Sequence, residues 1–317
     1  MSFPVFDLHC DTALALLGHK FLADGALRQN RFHVDLDRAG KLPGYAQCFA
    51  VFTSPMEKLP GAMTIEDVFE RNLSVILREL NANQDVIRQA YTADEVEENK
   101  SNGLMSAILT IEGPAGFGYD PQLLESLYQI GFRISTLGWN EKNVLAGSHV
   151  TGGGLTDLGR EYVKEAQRLG MIIDVSHISD EAFWDIMDIT QAPVIASHSN
   201  SRSVWNCSRN LTDEMFRAIC STGGVAGFNQ YGHFIGENAA LDTACDHILH
   251  FLELDPSGHH VALGGDLDGC DVLPEGFDGV QDYPKLAERL VQRGLSIEMI
   301  QDVFWNNALG VMRKCCM

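Results

Sequence analysis

Eight short apolar runs, rich in β-branched and aromatic residues, alternate with longer segments of helical spacing from one end of the chain to the other. They are Pro4–His9, Tyr45–Phe52, Met105–Glu112, Phe132–Gly138, Met171–His177, Val194–His198, Gly224–Phe228 and Val261–Asp266. Strands separated by helix-length segments pair in parallel, because a parallel neighbour is reached only by a long crossover. Eight in succession predict an α/β fold of the closed (β/α)₈ TIM-barrel type. An open doubly wound sheet usually has fewer strands and a glycine-rich phosphate loop after its first, and no such loop occurs here. The triplet Gly152–Gly154 lacks the GxGxxG spacing and reads as a flexible turn after the fourth strand. No linker, repeat or low-complexity tract divides the 317 residues, so 1–317 reads as a single barrel catalytic domain.

Helix starts are marked by side-chain oxygens able to accept an orphan amide: Thr64, Thr156, Ser179 and Thr212, each followed within two residues by Asp or Glu. The stretch from Thr64 to about Tyr91 reads as the longest helix. Asp282–Arg293 and Ser296–Leu309 read as a pair that closes the barrel after the last strand.

Ionisable residues gather where the apolar runs end. His9 and Asp11 close the first, Glu112 the third, His177 the fifth, His198 the sixth and Asp266 the eighth, the face on which barrel active sites assemble. In His9-Cys10-Asp11 the outer two side chains of an extended backbone point the same way and can chelate one ion, with Cys10 turned away. Asp7 shares their phase and reads either as a partner behind the ligands or as a strand-edge hydrogen-bonding group. Glu112 ends a buried run, so its charge needs compensation, either from an arginine such as Arg133 or from metals that it bridges. His177 and His198 end successive runs in the same Ser-His dipeptide. Two neutral imidazoles with carboxylates and no thiolate form an N/O ligand set suited to zinc or a related divalent ion at an open, catalytic site.

Asp266 lies in Gly264-Gly265-Asp266-Leu267-Asp268-Gly269, which lacks the remaining ligands of an EF-hand loop, and reads as a general acid/base. Asp268 reads as an accessory group or, on balance, a solvated loop carboxylate. Arg209 reads either as a surface ion pair or as a bidentate clamp for a substrate carboxylate. The other histidines (19, 33, 149, 233, 247, 250, 259 and 260) read as structural or solvent-exposed.

The charge balance, 43 Asp and Glu against 23 Lys and Arg, repels phosphate backbones and anionic membranes and disfavours nucleic-acid binding. No run is long enough to span a bilayer. The start MSFPVFDLHCDT lacks the features of a secretion signal. Eight scattered cysteines without a CxxC pair predict reduced thiols in a cytoplasm, and Cys315-Cys316 reads as part of an unstructured tail.

Taken in order, His9-Cys10-Asp11, Ile111-Glu112-Gly113, Asp174-Val175-Ser176-His177, Ser197-His198-Ser199, Ser208-Arg209-Asn210 and Gly264 to Gly269 resemble the motifs of the membrane (renal) dipeptidase family of zinc metallopeptidases. The resemblance runs from His9 nearly to the C-terminus. It implies a (β/α)₈ barrel of the metal-dependent hydrolase type with two Zn²⁺, or other divalent ions, per chain. His9 and Asp11 would hold one ion, His177 and His198 the second, and Glu112 would bridge both. A metal-bridging hydroxide would be the nucleophile, Asp266 the proton shuttle and Arg209 the receiver of the substrate's terminal carboxylate. The implied substrates are dipeptides, including those with a C-terminal D-residue.

Some members bind substrate with a histidine after the fourth strand, where this chain has Leu137-Gly138-Trp139-Asn140. Trp139 stands in its place, and carbonyl polarisation falls to the metals or to Asn140. Family members often form homodimers, which makes a homodimer an expected partner. The lipid anchor and disulfides of the mammalian enzymes are not carried over, since the chain shows no signal or anchor tail. The expectation is therefore a soluble, cytoplasmic, microbial-type metallodipeptidase acting on dipeptides, with no nucleic-acid or membrane partner. Two alternatives stand beside it: another metal-dependent amide, ester or lactone hydrolase on the same barrel, and a non-catalytic metal-binding barrel. Asp266 speaks against the last, because a binding cage needs no acid/base.

Overall fold

The computed structural model describes residues 2–18, 26–56 and 63–316; His19 lies outside them. Its strands are β1 (Val5–Cys10), β2 (Tyr45–Phe52), β3 (Ile87–Gln89), β4 (Met105–Glu112), β5 (Phe132–Thr136), β6 (Ala146–Ser148), β7 (Gly152–Leu155), β8 (Ile172–Asp174), β9 (Val194–Ile195), β10 (Ala226–Phe228) and β11 (Val261–Leu263). Eight pair in parallel in the order β10-β11-β1-β2-β4-β5-β8-β9, and these are the eight runs expected from the sequence. A parallel bridge between Ala196 and Ala226 joins the two ends of this ring. The hydrogen bonds Ala196 N to Val225 O (3.0 Å) and Gly227 N to Ala196 O (2.8 Å) reinforce it. The seam is tight: a Cβ on Gly227 of β10 would lie 1.9 Å from the Ser197 carbonyl oxygen, so only glycine lets these strands approach.

The barrel interior is filled by alternate residues, among them Phe6 and Leu8, Ala46 and Cys48, Ile108, Ile134, Ile172, Ile195 and Ala262, with Trp305 and Met312 of the C-terminal segment packed beneath. The opposite phase, including Val5, Phe49, Val51, Leu109 and Ile173, packs outward in the larger helix-facing core. Thr64, Thr156, Ser179 and Thr212 all cap the helices they precede, each accepting an amide three residues on.

Several boundaries differ from the sequence-based expectation. The helix begun by Thr64 ends at Ala82, because Asn83 leaves helical geometry and residues 87–89 are recruited as β3 against β4. The triplet Gly152–Gly154 is not a loop but part of β7, antiparallel to β6. The fifth and sixth strands stop short of their histidines, at Asp174 and Ile195. Asp174 accepts from the amides of Ser176 and Ser197, 2.9 Å each, and so bends the chain away from the sheet. Cys315 and Cys316 are buried at the end of the helix Asn307–Cys315, not in a loose tail. All eight cysteines are unpaired. Among the described residues no helix is long and apolar enough to cross a membrane.

Candidate metal centre

Between Asp7 and Cys10, three residues of β1 span only two of β2, Gln47 to Phe49. This bulge reverses the phase of the strand end. Asp7 therefore faces outward, where it accepts from Tyr283 Oη and from the amides of His9 (3.0 Å) and Gly265 (2.9 Å). His9 turns into the barrel mouth with Asp11, while Cys10 joins the outer core. The phase that Asp7 and His9 share in an unbroken strand is thus lost, and Asp7 stands as the strand-edge hydrogen-bonding group.

Glu112 extends the interior phase of Ile108 and Thr110, and its two oxygens face different partners. Oε2 lies 3.3 Å from His9 Nε2, and Oε1 lies 3.1 Å from His177 Nε2 and 4.0 Å from His198 Nε2. On the first side, Asp11 Oδ2 is 3.4 Å and Asp266 Oδ1 3.9 Å from His9 Nε2. Ligand atoms of His9, Glu112 and His198 lie within 4.8 Å of one another, and so do those of His9, Asp11 and Asp266. The salt bridge to Arg133 does not form. That side chain donates instead to the carbonyls of Tyr91, Tyr128 and Phe132 and stacks on Tyr128.

The protonation pattern supports a cation site. Burial and the nearby Asp11 charge push Glu112 up to about 8, and burial pushes Asp266 up to about 6. Burial and then the Arg209 charge hold His177 well below the ordinary imidazole range, and burial and His9 do the same for His198. Burial opposes charge on His9 too, but Glu112 and Asp11 outweigh it and raise the imidazole well above its ordinary value.

The two neutral rings have Nε2 atoms 2.9 Å apart, while their Nδ1 atoms meet Asn140 Oδ1 at 3.0 Å and Ser197 Oγ at 2.6 Å. Ser197 gives its own proton to Asp174, so its oxygen accepts. This network assigns the proton of each ring to Nδ1 and leaves two Nε2 lone pairs facing each other. Two lone pairs at this distance repel unless a cation lies beside both. Asp11 Oδ1 and Glu112 Oε2 are also buried without a hydrogen-bond donor. The donor set thus fits divalent metal, with nitrogen and oxygen ligands and no thiolate.

Strain marks the same residues. His177 and Asp266 adopt left-handed backbone (φ 71° and 55°), which costs a residue other than glycine of order 1–3 kcal/mol. The Asp266 amide donates to the His9 carbonyl (3.1 Å), and Asn229 Nδ2 donates to Asp266 Oδ2 (3.0 Å). Asp268, also left-handed (φ 68°), is not a solvated carboxylate. Its side chain is buried, accepts hydrogen bonds from Thr12 Oγ1 (2.6 Å) and the His33 amide (2.5 Å), and ties the last strand's loop to the first helix.

A cavity of about 450 Å³ opens over the centre, lined on its floor by Asp11, Glu112, His177 and Asp266. Phe52 and Trp139 form one apolar wall, Tyr231 and Phe234 another. Arg209 is buried nearby in a crevice that shares His149 and His177 with the cavity. It gives Nη1 to Ser199 Oγ (2.7 Å), while Nε and Nη2 have no acceptor among the described residues. It is not a surface ion pair. Asn140 lines the cavity beside Trp139.

Sequence reasoning missed three contributors. Asp174 was signalled by a charge inside an apolar run, and Asn229 by its place at a strand end. His149, read as structural or exposed, lines the cavity from the β6–β7 hairpin, which no periodicity places there. Among the other described histidines, His247, His250 and His260 make structural contacts with Ile235 O, Asp213 and Asp255.

Gly269 gives a direct test of how closely the centre is built. A Cβ there would lie 2.3 Å from Asp11 Oδ2 and 2.5 Å from Asp266 Oδ1. Gly269→Ala is expected to displace both carboxylates and to weaken divalent-metal binding by about 10–100-fold, as losing a ligand's supporting contact does. A competing chromophoric chelator measures the change, and wild-type affinity would contradict this geometry.

A parallel barrel with a buried histidine–carboxylate cluster at the C-terminal ends of its strands defines a metal-dependent hydrolase-type TIM barrel. More narrowly, the chain belongs to the membrane dipeptidase family, peptidase family M19, whose sequence profile matches residues 1–316. It is 38% identical over 216 residues to an uncharacterised dipeptidase of Schizosaccharomyces pombe, covering 66% of this chain and 53% of that protein. A second uncharacterised dipeptidase of the same yeast is 34% identical, over 70% of this chain and 56% of its own length. The chain thus spans about half the length of these curated relatives. Its fold matches a metallopeptidase of Rhodobacter sphaeroides, solved with a phosphinate mimic of the dipeptide L-Ala-D-Ala, at a TM-score of 0.89 and 26% identity, covering 99% of this chain and 100% of that one.

Proposed function

We propose that the protein is a metal-dependent dipeptidase whose ions, two Zn²⁺ or other divalent metals, are held by His9 and Asp11 on one side and His177 and His198 on the other, with Glu112 shared. The observation that carries this reading is the pairing of a two-sided carboxylate with a buried guanidinium that has no carboxylate partner among the described residues. When bound, such ions polarise a carbonyl and lower the pKa of water to near neutrality.

The residues of this chain do the rest. Arg209 presents Nε–H and Nη2–H to the free carboxylate of the substrate, a fork suited to bidentate pairing. Asn140 offers its amide to the scissile carbonyl in place of the family's histidine, and the walls of Phe52, Trp139, Tyr231 and Phe234 receive apolar side chains. Asp266 takes a proton from the attacking water at one oxygen and delivers it to the leaving amine. The phosphinate mimic bound by the Rhodobacter sphaeroides relative supports extending the substrates to dipeptides with a C-terminal D-residue. Eight unpaired cysteines fit a reducing compartment such as the cytoplasm.

A panel of L,L- and L,D-dipeptides, assayed with and without chelator, tests the reaction; turnover that survives metal removal would refute it. Arg209→Met tests the substrate class. Its KM for dipeptides is expected to rise at least about tenfold, the scale set by one charge-assisted hydrogen bond, with C-terminal amides no longer discriminated against. A variant that still requires the free carboxylate would point to another amide, ester or lactone hydrolase.

A further inference from the structure

We propose that His149 is a positioning residue that fixes the tautomer of His177 and the orientation of the Asn140 amide. This rests on the reading of His177 as a metal-holding residue. The β6–β7 hairpin carries His149 at its tip and meets the backbone of His177 and Ile178. The His149 amide donates to the His177 carbonyl (2.8 Å), against a residue in left-handed backbone, and Ser148 bridges Ile178 beside it. The side chains then form a relay. Ser208 Oγ is 3.0 Å from His149 Nδ1, His149 Nε2 is 2.8 Å from Asn140 Oδ1, and His177 Nδ1 is 3.0 Å from the same oxygen.

Two assignments satisfy the contacts from Ser208 to His177, and only one of them leaves His177 Nε2 open to a cation. If the Asn140 oxygen faces both rings, each ring must donate to it, so His149 carries its proton on Nε2 and His177 on Nδ1. His149 Nδ1 is then an acceptor, and the Ser208 hydroxyl supplies its proton. His177 is left with its Nε2 lone pair turned toward Glu112 and His198. With the amide reversed, Asn140 would donate to both rings, and His177 would carry its proton on Nε2, where it blocks a cation. Two donors onto one oxygen hold the amide in the productive orientation, and His149 is the second of them.

The same orientation serves the substrate. The Asn140 side chain lines the cavity, and its Nδ2 has no hydrogen-bond partner among the described residues. With Oδ1 committed to the two histidines, Nδ2 is the atom left to donate to a bound carbonyl. The relay begins at Ser208, next to Arg209, so the loop assigned to the substrate carboxylate and the metal-facing histidine share one chain of hydrogen bonds.

¹⁵N NMR of the histidine rings and a Zn²⁺ competition titration test this without an activity assay. In His149→Leu, His177 is expected to lose its fixed Nδ1–H tautomer and zinc affinity to fall about 10–100-fold, the usual cost of an outer partner of a metal-binding histidine. His149→Gln, whose amide can still donate to Asn140, is expected to recover most of both. An anchor that merely pins the hairpin would lower thermal stability and leave tautomer and affinity untouched, and that result overturns the proposal. A glutamine variant no better than leucine overturns it too. If His149→Leu does not fold, Ser208→Ala removes only the hydroxyl and is expected to move the same two readouts by a smaller factor; no movement in either is refuting. Failure of the dipeptidase reading would show as absent hydrolysis with the tautomer and zinc results intact.

Discussion

Glu112→Gln is expected to abolish dipeptide hydrolysis and to strip most of the zinc from the protein while leaving it folded. The carboxylate is buried with its two oxygens turned to different histidine sets, 3.3 Å from His9 Nε2 and 3.1 Å from His177 Nε2. Burial and Asp11 push it up to about 8, so it is ionised at neutral pH only when positive charge compensates it. Glutamine keeps the shape, removes the charge and turns an amide donor toward one of the two sets. Loss of an outer partner costs about 10–100-fold in metal affinity, and loss of a shared inner group is expected to exceed that. Relief of a buried carboxylate offsets any lost contact, so thermal stability without zinc is expected to hold or rise. Metal content and kcat/KM measured together decide the matter. A variant with wild-type zinc and kcat/KM within about tenfold of wild type would remove Glu112 from the centre.

Asp266→Asn is expected to lower kcat by about 10²–10⁴-fold, the range of general acid–base catalysis, with zinc content and KM nearly unchanged. Burial moves this carboxyl to about 6, close to the pH at which a group must both accept and return a proton. Its Oδ2 is fixed by Asn229, and its left-handed backbone holds Oδ1 over the site, 3.9 Å from His9 Nε2. That distance also makes Asp266 a candidate ligand on the His9 and Asp11 side. The variant separates the two roles. A fall in kcat with metal retained marks a proton shuttle, whereas zinc lost in parallel with kcat marks a ligand and refutes the shuttle.

The barrel was legible because its order is local. An apolar run of strand length followed by a capped helix needs no knowledge of the rest of the chain, and all eight runs and four caps appear in the fold. His9, Asp11, Glu112, His177, His198 and Asp266 were legible as a group because a parallel barrel brings every strand's C-terminal end to one face. The misplacements have a common cause. Period-two counting puts Asp7 with His9 because it cannot see a bulge, and the extra residue in β1 sends the two side chains to opposite faces. The local sequence leaves Asp268 to solvent because its burial depends on Thr12 and His33, over 230 residues away in the chain.

What the amino-acid sequence determined by itself is the set of chemical groups and the face on which they meet, since strand period and crossover length dictate both. What only the tertiary structure decided is how those groups are aimed. The bulge that turns His9 inward, the two sides of Glu112, the unpartnered donors of Arg209 and the arrival of His149 from the hairpin all depend on contacts between distant segments. Hydrogen-bond direction and ring tautomer are properties of such contacts, set within a few tenths of an ångström by packing, and no pattern along one strand encodes them.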